Sequence, residues 1–224
     1  MSIEPKHLAW SFSKIEAFEL CPKKMYHENI AKDVGKQSNE VQQYGKDGHK
    51  YFELYMLKDK ALPMDFKHHQ KYLDKIKQME GEGLPEQKLA INENFEPTGW
   101  FDSDVYGRAI IDYTVINRDK KHAFIVDWKF GKMKDDFDQI SVCAAMMKCF
   151  EPELETIIGT YYWAKDKKFT TIKLGVNGIQ QVWTDWLDRV HTYQEAVRNT
   201  EFPAKQNFLC ARHCPVKKCA HNGG

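Results

Sequence analysis

In Phe124-Ile125-Val126-Asp127-Trp128-Lys129-Phe130, a β-strand would set Asp127 and Lys129 on one face and Phe124, Val126, Trp128 and Phe130 on the other. A second carboxylate, Asp112, ends the apolar run that starts at Gly107, where a charge without a partner is costly and calls for a metal ion or a cation. If these segments pair through a turn around Asn117 to Lys121, both aspartates converge on one point. Converging carboxylates suit a hard divalent cation such as Mg2+, which also takes water and phosphate oxygens. The residues alone permit a plainer arrangement too, with Asp112 and Lys129 as a structural ion pair and Asp127 as a surface acid beside a turn.

A second chemistry-bearing group lies near the end. Cys210, Cys214 and Cys219 form a C-x3-C-x4-C cluster followed by His221. Three thiols so close in a segment without periodicity seldom serve packing. Cys21, just before Pro22, is the candidate fourth ligand. Four thiolates suit a 4Fe-4S cluster, whereas Zn2+ accepts four cysteines or three with His213 or His221. Cys143 and Cys149 fall on a predicted helix with Val142, Met146 and Phe150 and read as buried apolar residues.

The elements that must position these groups divide by pattern. Ser13-Lys14-Ile15-Glu16 has capping-box spacing and opens a predicted helix over 12–29; further helices are expected over 41–57 and 66–79. The breaker run Gly81-Glu82-Gly83-Leu84-Pro85 then separates this helical part, 1–80, from a core over 85–200. Strands are expected over 88–95, 105–116 and 123–130, successive and antiparallel, then a helix over 135–150, strands over 156–163 and 169–176, and a long helix over 178–199. The tail, 202–224, reads as irregular and in need of a tie. The expected architecture is one α/β domain over 1–224, with a mixed central sheet flanked by helices.

In this order the motifs resemble the RecB-like branch of the PD-(D/E)XK nucleases. Ser11-Phe12-Ser13, Phe18, Cys21-Pro22 and Tyr26 look like that family's opening helix, and Gly45-Lys46-Asp47-Gly48-His49 with Glu53 like its glycine-plus-histidine helix. Glu86 stands at the expected start of the first strand, Gly107 to Asp112 matches a G-x-x-x-x-D strand, and Asp127-Trp128-Lys129 matches the D/E-x-K strand. The resemblance implies a restriction-endonuclease-like core. It implies Mg2+ or Mn2+ held by Asp112, Asp127, His49 and the Trp128 carbonyl, Lys129 beside the nucleophile, Glu86 completing the shell, and Gln139 contacting substrate. From the residues alone, His49 could equally be a packing histidine and Gln139 a surface residue. One cysteine near the start and three near the end resemble the iron-sulfur members of AddB and CRISPR-adaptation type, where a 4Fe-4S cluster staples tail to first helix. Zn2+ stays open, because the spacing departs from the usual C-x2-C pair.

The implied activity is ATP-independent DNA exonuclease action in phage or bacterial recombination, repair or degradation, with a CRISPR-adaptation trimming nuclease or a non-catalytic DNA-end binder as alternatives. The implied partner is DNA with a free end, joined by a recombination or single-strand-binding protein. No Gly-x-x-x-x-Gly-Lys-Ser/Thr loop occurs, so no helicase motor is expected in this chain. A composition 42% hydrophobic and 29% charged excludes a disordered chain, and no apolar run approaches a membrane span. The N-terminus lacks a secretory layout, so a reducing cytoplasm is expected, the host's for a phage protein. A net charge of +1 gives no global sign of a polyanion partner. That sign must come from local lysines, Lys120, Lys121, Lys132 and Lys134 with Lys165, Lys167 and Lys168, which could equally be solvated. Trp10, Tyr44, Trp100 and Tyr106 could stack on unpaired bases or pack in the core.

Overall fold

In the computed structural model, which describes residues 7–35 and 40–223, alternating apolar residues build one five-stranded sheet in chain order. The strands are β1 (Glu82–Ile91), β2 (Gly107–Asn117), β3 (His122–Lys129), β4 (Thr156–Trp163) and β5 (Lys168–Gly175). Only β3 and β4 are parallel, joined through helix α5 (Asp138–Phe150), as a parallel pair requires a crossover. The sheet is therefore mixed, the α/β arrangement expected from the sequence.

Period-two alternation divides the core into two layers. Ile125 and Ile157 meet α5, helix α1 (Phe12–Leu20) and helix α6 (Val176–Asn199) through Ile140, Phe18, Trp186 and Tyr193. Val126, Trp128 and Tyr162 face helices α3 (Glu40–Lys58) and α4 (Gln70–Lys77) through Phe52 and Leu73. Gly48 of α3 permits the closest approach here: a methyl group at that position would stand 2.2 Å from the Phe130 ring. Helix propensity favours alanine over glycine by about 1 kcal/mol, but overpacking costs about 1–3 kcal/mol. Gly48→Ala is therefore expected to destabilise the protein by roughly 1 kcal/mol in denaturant titration and to push aside the Phe130 ring, 5.4 Å from the His49 ring.

Several sequence expectations need correction. The opening helix does not run through 12–29. Cys21 is extended (φ −165, ψ 105), a short helix α2 follows at Pro22–Met25, and a π-helical turn runs Tyr26–Ala31. Pro22 disfavours helical backbone before it, which is sufficient cause. The N-cap is Ser11, so the expected capping box at Ser13 does not form. A 3-10 segment, Met64–His69, precedes α4 where one helix was expected. Glu82 to Pro85, read as a breaker, are strand, because Tyr113 to Ile116 of β2 offer them a ladder. Pro85 is tolerated because β1 is an edge strand.

Thr200, in left-handed conformation (φ 58), ends α6 and the tail turns back. The main-chain N–H of Lys23 donates to Pro203 O (3.3 Å), Lys205 Nζ to Glu19 O (2.8 Å) and Asn207 Nδ2 to Leu20 O (3.0 Å), and the rings of Tyr26 and Phe202 stack. Among the described residues no helix is long and apolar enough to cross a membrane.

Candidate active site

The sheet parts at one place. On one side of β2, Glu82–Pro85 pair with Tyr113–Ile116 and Gln87–Ile91 with Gly107–Ile111, so Glu86 and Asp112, opposite each other, drop out of the ladder. Glu86 has φ +47 there, a left-handed backbone that a glutamate adopts only when its surroundings hold it. On the other side, β2 and β3 pair outward as far as Tyr113 and Val126, and the next opposed pair would be Asp112 and Asp127. Instead the Trp128 N–H donates to Asp112 Oδ2 at 2.7 Å. A side chain thus takes the place of a ladder partner, and both aspartates face a cleft of about 680 Å³ together with His49, Glu86, Trp128, Lys129 and Gln139.

His49 Nδ1 of α3 lies 3.2 Å from Asp112 Oδ2. Gln139, in the first turn of α5, bridges the Asp127 and Lys129 side chains: its Nε2 donates to Asp127 Oδ1 (2.9 Å) and its Oε1 accepts from Lys129 Nζ (2.5 Å). Lys129 Nζ also lies 2.8 Å from Asp127 Oδ2 and 5.0 Å from the centre of the Tyr161 ring. The plain alternative, an Asp112–Lys129 pair with Asp127 at the surface, is not what forms: Lys129 pairs with Asp127, which is buried.

Tyr161 was not singled out in the sequence. It pairs in register with Asp127, and its hydroxyl accepts the Ile140 N–H at 3.0 Å, pinning the start of α5 and so Gln139. Within Thr160-Tyr161-Tyr162-Trp163 nothing distinguishes it from a core aromatic. The acids that flank Glu86 in sequence stand elsewhere: Glu82 pairs with Arg118 (2.6 Å), and Glu93 lines a separate hollow beside Asn92 and Asn94.

Burial, and next the charge of Asp112, push the Asp127 carboxyl up to about 6. Burial, then the charges of Asp112 and Glu53, also raise Glu86. For His49 burial alone pulls downward, but the hydrogen bond and charge of Asp112, with the charge of Asp127, raise it overall. Three carboxylates thus share a partly dry cleft with too little positive charge. Asp127 Oδ2, although close to Lys129, is buried and accepts no aligned hydrogen bond. That oxygen and the hard carboxylate set fit a divalent cation. Among the described residues no three Asp, Glu, His or Cys side chains already stand as a metal-ligand set.

The cysteines behave differently. Cys21, Cys210 and Cys214 are buried, Cys219 is half-buried, and all six thiols of the chain are unpaired. The tail closes on itself through the Gly223 N–H to Cys210 O (3.0 Å) and Asn222 Nδ2 to Cys214 O (2.9 Å). Cys143 is buried beside the aspartates and burial raises its pKa, while Cys149 is half-buried. Lys120 and Lys121 pair with Glu80 and Glu155 as a solvated hairpin, whereas Lys132 and Lys134 line a hollow next to Lys129. Trp10 and Tyr106 are core residues, and Tyr44 stacks on Phe66.

A solved structure of a candidate exonuclease from Eubacterium rectale has a similar fold, with a TM-score of 0.57 and 14% identity over 93% of this chain and 88% of that one. A second, of SSO0001, reaches a TM-score of 0.45 at 11% identity over 96% of this chain and 86% of that one, too low for anything to rest on it. No curated protein matches the chain. The family model of the PD-(D/E)XK nuclease superfamily matches residues 9–219, nearly the whole length, and takes in both aspartates and the lysine where the strands part. The chain belongs to the PD-(D/E)XK nuclease superfamily.

Proposed function

We propose that this nuclease is a divalent-metal-dependent DNA exonuclease that works without ATP. The observation that carries the reading is the convergence of Asp112 and Asp127 where β2 leaves β3, with Lys129 and Gln139 beside them. Asp112, Asp127, His49 and the Trp128 carbonyl would hold Mg2+ or Mn2+, with Glu86 completing the shell. Such an ion, when bound, supplies Lewis acidity toward a phosphate oxygen and a water. Lys129 orients the attacking water and steadies the negative charge that builds on the phosphate. Gln139 holds Asp127 and Lys129 at fixed separation and meets the strand. The Eubacterium rectale neighbour supports exonuclease action by analogy of fold, and the resemblance to the RecB-like nucleases supports a role in recombination or DNA degradation. Incubation with end-labelled linear DNA and with circles of the same sequence tests this. Loss of the linear form alone is expected, and cutting of circles would replace exonuclease with endonuclease action.

We further propose that Cys21, Cys210, Cys214 and Cys219 hold a 4Fe-4S cluster, with Zn2+ the competing occupant. Four thiols are the right donor set. The docking of the tail on Glu19, Leu20 and Lys23, on both sides of Cys21, supports it.

The raised Asp127 carboxyl gives the metal a pH signature. Its value is about 6 in the fold against an ordinary 3.8. Between these values the folded chain keeps a proton that the unfolded chain has lost, so metal-free stability falls as pH rises, by at most about 3 kcal/mol. A cation on that carboxylate reverses the loss, and at low pH it must first displace the proton. Mn2+ is therefore expected to raise the thermal midpoint more at about pH 8 than at about pH 5. Equal shifts at both would contradict this role for Asp127.

A further inference from the structure

Beside the carboxylate cleft lies a second hollow of about 300 Å³, walled by Trp10, Phe12 and Trp100 and carrying Lys14 and Arg108. Ile110 and Gln139 line both, so the hollow adjoins the cleft at Gln139. Lys14 Nζ donates to the Ala9 carbonyl and Arg108 Nε to the Trp100 carbonyl at 2.9 Å. Neither forms an ion pair among the described residues. The acids of the loop that carries Trp100 are turned elsewhere: Asp102 accepts from the Gly99 N–H and Thr98, and Asp104 accepts from Thr98. Burial, and then the nearby charge of Arg108, lower Lys14 to about 8, with no acid offsetting the desolvation of its ammonium. Lys88 Nζ and the Arg108 guanidinium both lie over the Trp100 ring, at 5.9 and 5.7 Å from its centre.

We propose that this hollow binds the terminal phosphate monoester of a DNA end, with the strand passing Gln139 to reach Asp112 and Asp127. The inference rests on the nuclease reading and adds an end-recognising subsite to it. Charge selects the ligand. A monoester carries about −1.5 to −2 near neutral pH and a diester only −1, so the adjoining Lys14 and Arg108 match the monoester better. Size agrees, because about 300 Å³ is the lower limit for small-molecule sites, room for one nucleotide and not for a passing duplex. Trp100, half-exposed at the wall, offers a face on which the terminal base can stack.

The test is direct binding in EDTA, where metal-dependent cleavage cannot interfere. The ligands are oligonucleotides of one sequence, labelled internally, with a 5′-phosphate, a 3′-phosphate or hydroxyls at both ends. The native protein should bind one phosphorylated form about tenfold more tightly than the hydroxyl form. Arg108→Met and Lys14→Met should each bring that preference within about twofold, with weak binding of the hydroxyl form kept. If Lys14→Met fails to fold once its bond to Ala9 is lost, Arg108→Met alone decides. Equal binding of all three by the native protein, or a preference that survives Arg108→Met, would overturn the subsite while leaving the nuclease reading in place. Binding of none of them would also overturn the subsite, while the nuclease reading stands or falls separately on cleavage with Mg2+ or Mn2+ present.

Discussion

Asp112→Asn is expected to lower DNA cleavage by about 10³-fold, on the scale of losing one group that stabilises the transition state. The protein should stay folded and become slightly more stable. Asparagine keeps an oxygen for the Trp128 N–H and for His49, so the local bonds to Asp112 Oδ2 can survive. What disappears is the negative charge that, after burial, does most to raise Asp127 and Glu86. Relief of that repulsion is worth on the order of 1 kcal/mol at neutral pH, since a tenfold change in proton affinity corresponds to about 1.4 kcal/mol. Single-turnover cleavage and thermal melting at one pH check both halves. A variant that loses several kcal/mol of stability but retains activity would make Asp112 a structural partner of His49 and nothing more.

Cys214→Ser is expected to release bound metal and loosen the tail. Structural Zn2+ contributes on the order of 10 kcal/mol to the folding of small peptides, and a third of that is a sizeable share of an ordinary domain's stability. At about 2–4 °C per kcal/mol for a chain of this size, the midpoint should fall by about 10 °C. Elemental analysis of anaerobically purified protein identifies the occupant, iron with sulfide or zinc. If the native protein carries neither and Cys214→Ser melts with it, the tail is held without a metal, by its bonds to Lys23, Glu19 and Leu20 and the Tyr26–Phe202 stack.

The strands were legible where composition and period agreed. Thr156–Trp163 has the expected limits, and His122–Lys129 lies within one residue of them, because each is a short β-branched and aromatic run with turn residues on either side. The reading failed where tertiary pairing overrode local preference. Gly81 to Pro85 carry every mark of a breaker, yet most of that run joins the sheet, and Glu86 stands within β1 and not at its start. Pro22 already marked the end of the opening helix, but the Ser13-to-Glu16 spacing suggested that the helix ran on. The types at Asp112, Asp127, Lys129 and His49 are written in the chain, but their meeting depends on a ladder that stops at Tyr113 and Val126. A register of that kind has no local signature. The same holds for Tyr161 beneath Lys129, and for Lys14 and Arg108, which are 94 residues apart in sequence.

The cleavage chemistry proposed for this nuclease depends on Asp112 and Asp127 forming a metal-dependent centre. The most direct test sets the anaerobically purified protein beside Asp127→Ala on linear single- and double-stranded DNA, with Mg2+, Mn2+ or EDTA. Cleavage by the native protein in either metal, none in EDTA, and a loss of about 10³-fold in Asp127→Ala is the expected result. Equal cleavage by both proteins, or cleavage that persists in EDTA, would contradict it.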